Sequence, residues 1–310
     1  MGHEHHDDDR DHDSRRPHRD GGHHEHGAHG HGAHDKDGEH SAALALLLDL
    51  DAEVLRDYLA EVTAWVYRQA ADTARRRVLD LGAGTGSGTV ALARLFASAQ
   101  VLAVDKSEAM LGRVRARAAG LGLDGRVRTL CADLDAGWPQ LEAVDVAWAS
   151  NALHEVADPD RVFKDLFAAI RPGGLLAVAE MDAAARFLPE RLGLGRDGFE
   201  PRLHEALRRA QSGGQPRLGP DWGPYLERAR FAPTVRRTFA VDLAPPHPPA
   251  VGRYARAYLQ HVEPLLRDRL DAGDLAVLDA LLAEDGPHSL LRRGDLHVRG
   301  TRTVWLARRP

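Results

Sequence analysis

RRVLDLGAGTGSGTV, residues Arg76 to Val90, decides the fold. Val78 to Leu81 is a short apolar run, which reads as a buried strand. Asp80 lies within it, just ahead of Gly82, Gly84 and Gly86, which fall at alternate positions. Glycines so spaced let the backbone turn sharply and let a ligand approach the main chain. The helix predicted beyond them offers unpaired N–H groups and the positive end of its dipole. Such a turn seats a nucleotide-like molecule.

A dinucleotide is one candidate, because its fingerprint is G-x-G-x-x-G or G-x-G-x-x-A. Counted from Gly82, the third small position holds Ser87; counted from Gly84, it holds Thr89. Only Gly86-x-Gly88-x-x-Ala91 fits, and it lies too far past the strand to form its first turn. A pyrophosphate would be badly placed.

Four further features follow in order: Asp105 within VLAVDKSEAML, Cys131-Ala132-Asp133-Leu134, VDVAWASNALHEV from Val144 to Val156, and RPGGLLAVAEM from Arg171 to Met181. With the glycine turn they span Arg77 to Met181, and in this order they resemble the class I S-adenosyl-L-methionine (SAM) dependent methyltransferases. The resemblance implies an α/β fold: a doubly wound, mostly parallel seven-stranded sheet of Rossmann-like type. It implies SAM as cofactor, held by Asp80, Gly82, Ala83, Gly84, Gly86, Asp105, Lys106, Asp133, Leu134 and Ser150. An acid at Asp105 can accept both ribose hydroxyls, as acids at this place do in dinucleotide sites. The family pattern gives the adenine amino group to Asp133 and a ring contact to the Leu134 N–H. Asp80 and the Gly82–Gly86 backbone are expected at the methionine end, unless Asp80 only satisfies turn amides.

Methyl transfer needs mainly alignment, with a base only where the acceptor must lose a proton. His154 is the best-placed base, with Glu155 and Glu180 behind it. Its bland alternative is a histidine packed in the pocket wall. His154-Glu155 is no zinc-protease motif, since Asp158 stands where a second histidine is needed. Cys131 is expected to be a buried strand residue.

Composition bounds the rest. A hydrophobic fraction of 43% over 310 residues suffices for a globular core. One cysteine excludes an internal disulfide and suits a reducing, cytoplasmic setting. No apolar run nears the roughly 20 residues of a membrane span, and the polar N-terminus does not read as a secretory signal. The net charge is −5. Residues 1–40 carry eleven acids against five bases, −6, so the remainder is +1. A near-neutral body gives no electrostatic case for nucleic acid. The expected partner is a small-molecule acceptor.

Residues 1–40 also hold 12 of the 18 histidines and almost no apolar side chains. That composition reads as disordered. His3, His5, His6, His23, His24 and His26 are candidate, adventitious ligands for divalent transition metals. The domain reading is a tail at 1–40, a helical cap at 41–76, a SAM-binding core at 77–183, and pocket insertions with the last strands at 184–310. Trp65 and Tyr67 fall in the cap as lid candidates, core packing being the alternative for Trp65. About 55 residues separate the expected sixth and seventh strands, where the family has a short hairpin; they build a substrate lid or an oligomer contact. A SAM-binding or metal-responsive protein without catalysis is the alternative to an enzyme.

Overall fold

The computed structural model describes residues 31–211, 220–232 and 235–310. Contacts divide the chain into Met1–Gly38 and Glu39–Pro310, and the whole sheet lies in the second unit. The histidines named as candidate metal ligands lie outside the described residues.

Two helices come first, α1 (His31–Val54) and α2 (Arg56–Gln69), parted by a kink at Leu55. Strand and helix then alternate: β1 (Arg77–Leu81), α3 (Ser87–Leu95), β2 (Gln100–Asp105), α4 (Glu108–Gly120), β3 (Val127–Cys131), β4 (Val144–Ser150), α5 (Pro159–Ala169) and β5 (Ile170–Met181). Beyond these come α6 (Phe199–Gln211), α7 (Gly223–Arg228), β6 (Val235–Leu243), α8 (Ala250–Leu266), α9 (Ala272–Leu282) and β7 (Val298–Arg308). Local chemistry marks the helix starts. Ser107 caps α4 by accepting the Met110 N–H, and Asp158 caps α5 ahead of Pro159; both are favoured arrangements for the unpaired first-turn amides.

The seven strands form one sheet in the order β3-β2-β1-β4-β5-β7-β6. Pairing is parallel from β3 to β5, while β7 runs antiparallel to both β5 and β6. This is the expected mostly parallel, doubly wound fold. Strand order reverses between β1 and β4, so a crevice opens at the carboxyl ends of those strands.

Alternation along the strands divides the core. Val78, Trp148, Ala177 and Val304 face α2, α3 and α4 with Val62, Val66 and Leu111. Leu79, Leu81, Val178 and Trp305 face α5 and α7 with Phe163, Leu166 and Leu226. Strands buried on both faces are mostly apolar, which is why β1 and β4 stand out in the sequence, Asp80 and Asp145 being their buried acids. Trp65 packs edge-on to Phe239 at 5.7 Å and Tyr67 against Phe96 at 5.1 Å. Those packing contacts leave α1 to cover the crevice.

The long β6–β7 connection folds inward. Tyr254, Tyr258, Leu278 and Leu281 from α8 and α9 join Leu203 and Leu207 of α6 and Leu47 and Leu50 of α1 in a separate apolar core. The apolar stripe of that connection is consumed inside the chain. One expectation fails: Cys131 is exposed. It ends β3, the edge strand, where no neighbouring strand covers it. No helix among the described residues is long and apolar enough to cross a membrane.

Candidate functional site

The crevice begins at the glycine turn. Gly82, Gly84 and Gly86 adopt φ of 70°, 51° and 86°, a region costly to side chains with a Cβ. Space matters as well, since a Cβ on Gly82 would sit 2.3 Å from the Ala152 Cβ. The Gly82 and Ala83 amides both donate to the Val104 carbonyl, at 2.8 and 3.0 Å. The Gly84 amide donates to Asp105 Oδ2 at 2.8 Å, and the Ser107 amide to Asp105 Oδ1 at 2.9 Å. Asp105 therefore braces the turn from the end of the neighbouring strand. A carboxylate has about four acceptor positions, so two remain for a ligand.

Asp80 lies beneath the turn, 2% exposed. Its Oδ2 accepts the Thr89 hydroxyl at 2.5 Å. Burial pushes its pKa up to about 7, which the Thr89 bond opposes and the nearby Asp105 reinforces. Beyond β3, Asp133 is exposed and accepts the Asp135 amide at 2.9 Å, while the Leu134 carbonyl accepts from Arg161. Lys106 is exposed, and its carbonyl lies 3.5 Å from Cys131 Sγ. Ser150 ends β4, and Asn151 follows with φ 50°, its Oδ1 accepting the Met181 amide at 3.2 Å. Asn tolerates this left-handed conformation better than most residues.

His154 follows on a single 3-10 turn, Leu153–Glu155. Its Nδ1 lies 2.7 Å from Glu180 Oε2 and its Nε2 lies 3.4 Å from Glu155 Oε1. Glu180 is 1% exposed, and its Oε1 accepts the Ala152 and Leu153 amides at 3.1 and 3.0 Å. Burial alone would lower the His154 pKa, but Glu155 and Glu180 overcome it and hold the imidazole up to about 10. At neutral pH it is a cation with its proton in place, and a base must be able to accept one.

α1 lies across the crevice. Leu48 Cδ1 comes within 3.0 Å of where a Gly84 Cβ would stand. Asp49 pairs with Arg117 at 2.5 Å and Arg113 at 3.2 Å on α4. Two residues on, Asp51 accepts both Nη groups of Arg302 on β7 and the Tyr254 hydroxyl at 2.7 Å. The Arg302 guanidinium stacks over the Tyr58 ring at 4.9 Å. Burial disfavours its charge, but Asp51 holds it firmly protonated.

The structure thus brings Asp80, Gly82, Ala83, Gly84, Gly86 and Asp105 into one turn, with Ser150 and His154 across the crevice. Asp133 and Leu134 stand at its far side. Sequence reasoning missed Leu48, Asp49, Asp51 and Arg302. Asp49 and Asp51 sit in a helix with no motif around them, and their partners lie 64 to 251 residues away.

Comparison with known proteins agrees with this geometry. Residues 78–174 match the family described as "Methyltransferase domain". Trans-aconitate 2-methyltransferase of Variovorax paradoxus (strain S110) is 40% identical over 106 residues, 34% of this chain and 39% of that protein. Malonyl-[acyl-carrier protein] O-methyltransferase of Halorhodospira halophila is 40% identical over 104 residues, 34% of each chain. The match thus spans under half the length of these curated relatives. A solved structure from Bacillus halodurans, described as a candidate methyltransferase, is 17% identical. It covers 79% of this chain and 97% of its own with a TM-score of 0.50, a likeness of fold.

Proposed function

We propose that the methyltransferase domain at residues 78–174 makes this chain a SAM-dependent enzyme, transferring a methyl group to a small-molecule acceptor that carries a carboxylate. One observation carries the cofactor assignment. Asp105 braces the Gly84 amide and keeps acceptor capacity for two ribose hydroxyls. Ser87 and Thr89 stand where a dinucleotide fingerprint counted from Gly82 or Gly84 needs its last small residue, which fits SAM better than a pyrophosphate. Leu48 covers the turn, so binding asks α1 to lift.

SAM supplies an activated methyl group and a good leaving group. The chain's own contribution is alignment and the exclusion of water, which together account for much of a methyl-transfer rate. Bound SAM would give up its methyl group to the acceptor and leave as S-adenosylhomocysteine, with Asp105 and the Gly82–Gly86 turn holding it. A carboxylate acceptor is ionised at neutral pH, so it needs no base. The protonated His154 fits that requirement, because both its nitrogens face carboxylates, of Glu180 and Glu155, and it cannot take up another proton. The relative named for trans-aconitate supports the same class, and the one named for malonyl-[acyl-carrier protein] supports the carboxylate alone.

The test is S-adenosylhomocysteine formation from radiolabelled SAM over a panel of di- and tricarboxylic acids, trans-aconitate included, beside amines and catechols. Turnover confined to acids is the expected result. Turnover confined to amines or catechols would overturn the acceptor class. Cofactor binding without turnover on any acceptor would favour a non-catalytic binding protein.

A further inference from the structure

Resting on that reading, we propose that Arg302, flanked by Tyr58 and Tyr254, is the seat for a carboxylate of the acceptor, and that Asp51 of α1 occupies this seat until the acceptor displaces it.

The place is right. Arg302 pairs in register with Met181 at the end of β5, and the Met181 amide is held by Asn151 at the end of β4. The cluster therefore adjoins the crevice where β4 ends. Its chemistry also fits. Asp51 receives both Nη groups of one guanidinium and a phenol hydroxyl, a set of donors suited to any carboxylate. The cation is fixed in the body of the fold and the acid comes from its edge, their side chains being 7% and 24% exposed.

A second observation is independent of that pair. The Tyr58 hydroxyl is buried and has no hydrogen-bond partner among the described residues. Burial pushes its pKa up to about 12, with Arg302 opposing and Asp51 aiding, so it keeps its proton and remains a donor without an acceptor. Buried donors of this kind are rare and ask for an explanation. A ligand oxygen beside Arg302 supplies one.

Arg302 and Tyr254 also line a cavity, with Leu55, Met181, Ala183 and Val241 forming apolar wall. Its volume is about 20 Å3, room for roughly one water. A second carboxylate can take both Nη groups of Arg302 only if the Asp51 carboxylate leaves them. The exchange of one carboxylate for another keeps the buried guanidinium paired, and leaving it unpaired would be costly. An uncharged head cannot make that exchange.

Succinate is the probe, with succinamide as its uncharged control, titrated by calorimetry into full-length protein saturated with S-adenosylhomocysteine. Asp51→Asn removes the internal competitor and should bind succinate at least tenfold more tightly than the unchanged chain. Tyr58→Phe should melt within a degree of the unchanged chain, since nothing accepts its hydroxyl proton and Phe keeps the ring beneath Arg302. It should bind succinate about tenfold more weakly, the worth of one hydrogen bond to a charged group. Equal affinity in Tyr58→Phe, equal binding of succinamide, or an Asp51→Asn chain no tighter than the original would each overturn the proposal. Should Asp51→Asn fail to fold, Tyr58→Phe and succinamide decide alone. S-adenosylhomocysteine binding in the same cell separates the two readings. Its absence refutes the cofactor assignment, whereas its presence with a failed succinate result refutes only the Arg302 seat.

Discussion

Asp105→Asn tests the cofactor site and the brace at once, and the two effects have different sizes. In the free protein the carboxylate accepts two backbone amides, from Gly84 at 2.8 Å and Ser107 at 2.9 Å. Asparagine keeps one acceptor oxygen and turns an NH2 toward the other amide. One bond to a charged group is lost, worth about 1.5–3 kcal/mol. At roughly 2 °C per kcal/mol for a chain of this size, the melting temperature should fall by about 3–6 °C. The ribose hydroxyls would lose a charged acceptor as well. At about 1.4 kcal/mol per decade, S-adenosylhomocysteine affinity should fall by about ten- to hundredfold. Calorimetry and thermal melts on the same preparation give both numbers. A lowered melting temperature with affinity unchanged within twofold would show that Asp105 only braces the turn, and the cofactor argument would fail with it.

Other expectations can be checked singly. His154 should stay protonated at pH 8 by NMR, and Glu180→Gln should lower its midpoint; a native midpoint near 6.5 would restore it as a base. Because its folded pKa is raised to about 10, its stabilising contribution is complete below about 6.5 and is lost as pH rises through that higher value. Asp80 has a folded pKa raised from 3.8 to about 7, so its contribution is complete below 3.8 and lost as pH rises through 7. Asp80→Asn should therefore gain stability relative to the unchanged chain between pH 5 and pH 8 in urea unfolding, and an equal gap at both would refute it. Gly82→Ala puts a methyl 2.3 Å from the Ala152 Cβ at φ 70°, and should cost about 2–4 kcal/mol in the fold with loss of cofactor binding; a native melt would count against the turn geometry. Deleting residues 1–30, which hold nine of the 18 histidines, should remove most nickel and zinc retention in a metal titration while cofactor affinity stays unchanged.

The core of the fold is legible in the sequence because parallel strands covered on both faces are mostly apolar, and here β1 stops before Gly82 and β2 at Asp105. Val78–Leu81 before Gly82 and Val101–Val104 before Asp105 leave few alternatives. The charge state of His154 is not legible, because Glu180 reaches it only when the end of β5 comes beside the end of β4. The cover of the crevice is hidden for a similar reason. Leu48, Asp49 and Asp51 follow one another closely on an ordinary helix, and their importance comes from Gly84, Arg117 and Arg302, which three different parts of the sheet domain deliver. Cys131 was misplaced because an apolar strand pattern does not say whether a strand is central or at the edge.

The two anchors of α1 differ in their contact with water. Asp49 and its arginines are about a third to a half exposed, while Arg302 beneath Asp51 is 7% exposed. Added salt screens exposed pairs far more than buried ones. Rising ionic strength should therefore weaken the hold of Asp49 on α4 while the Asp51 pair keeps its strength. With one of its two anchors weakened, α1 would lift more readily and spent cofactor would leave sooner. Where release limits turnover, as it does in many enzymes with a closing cover, such a chain would run faster in moderate salt than in dilute buffer.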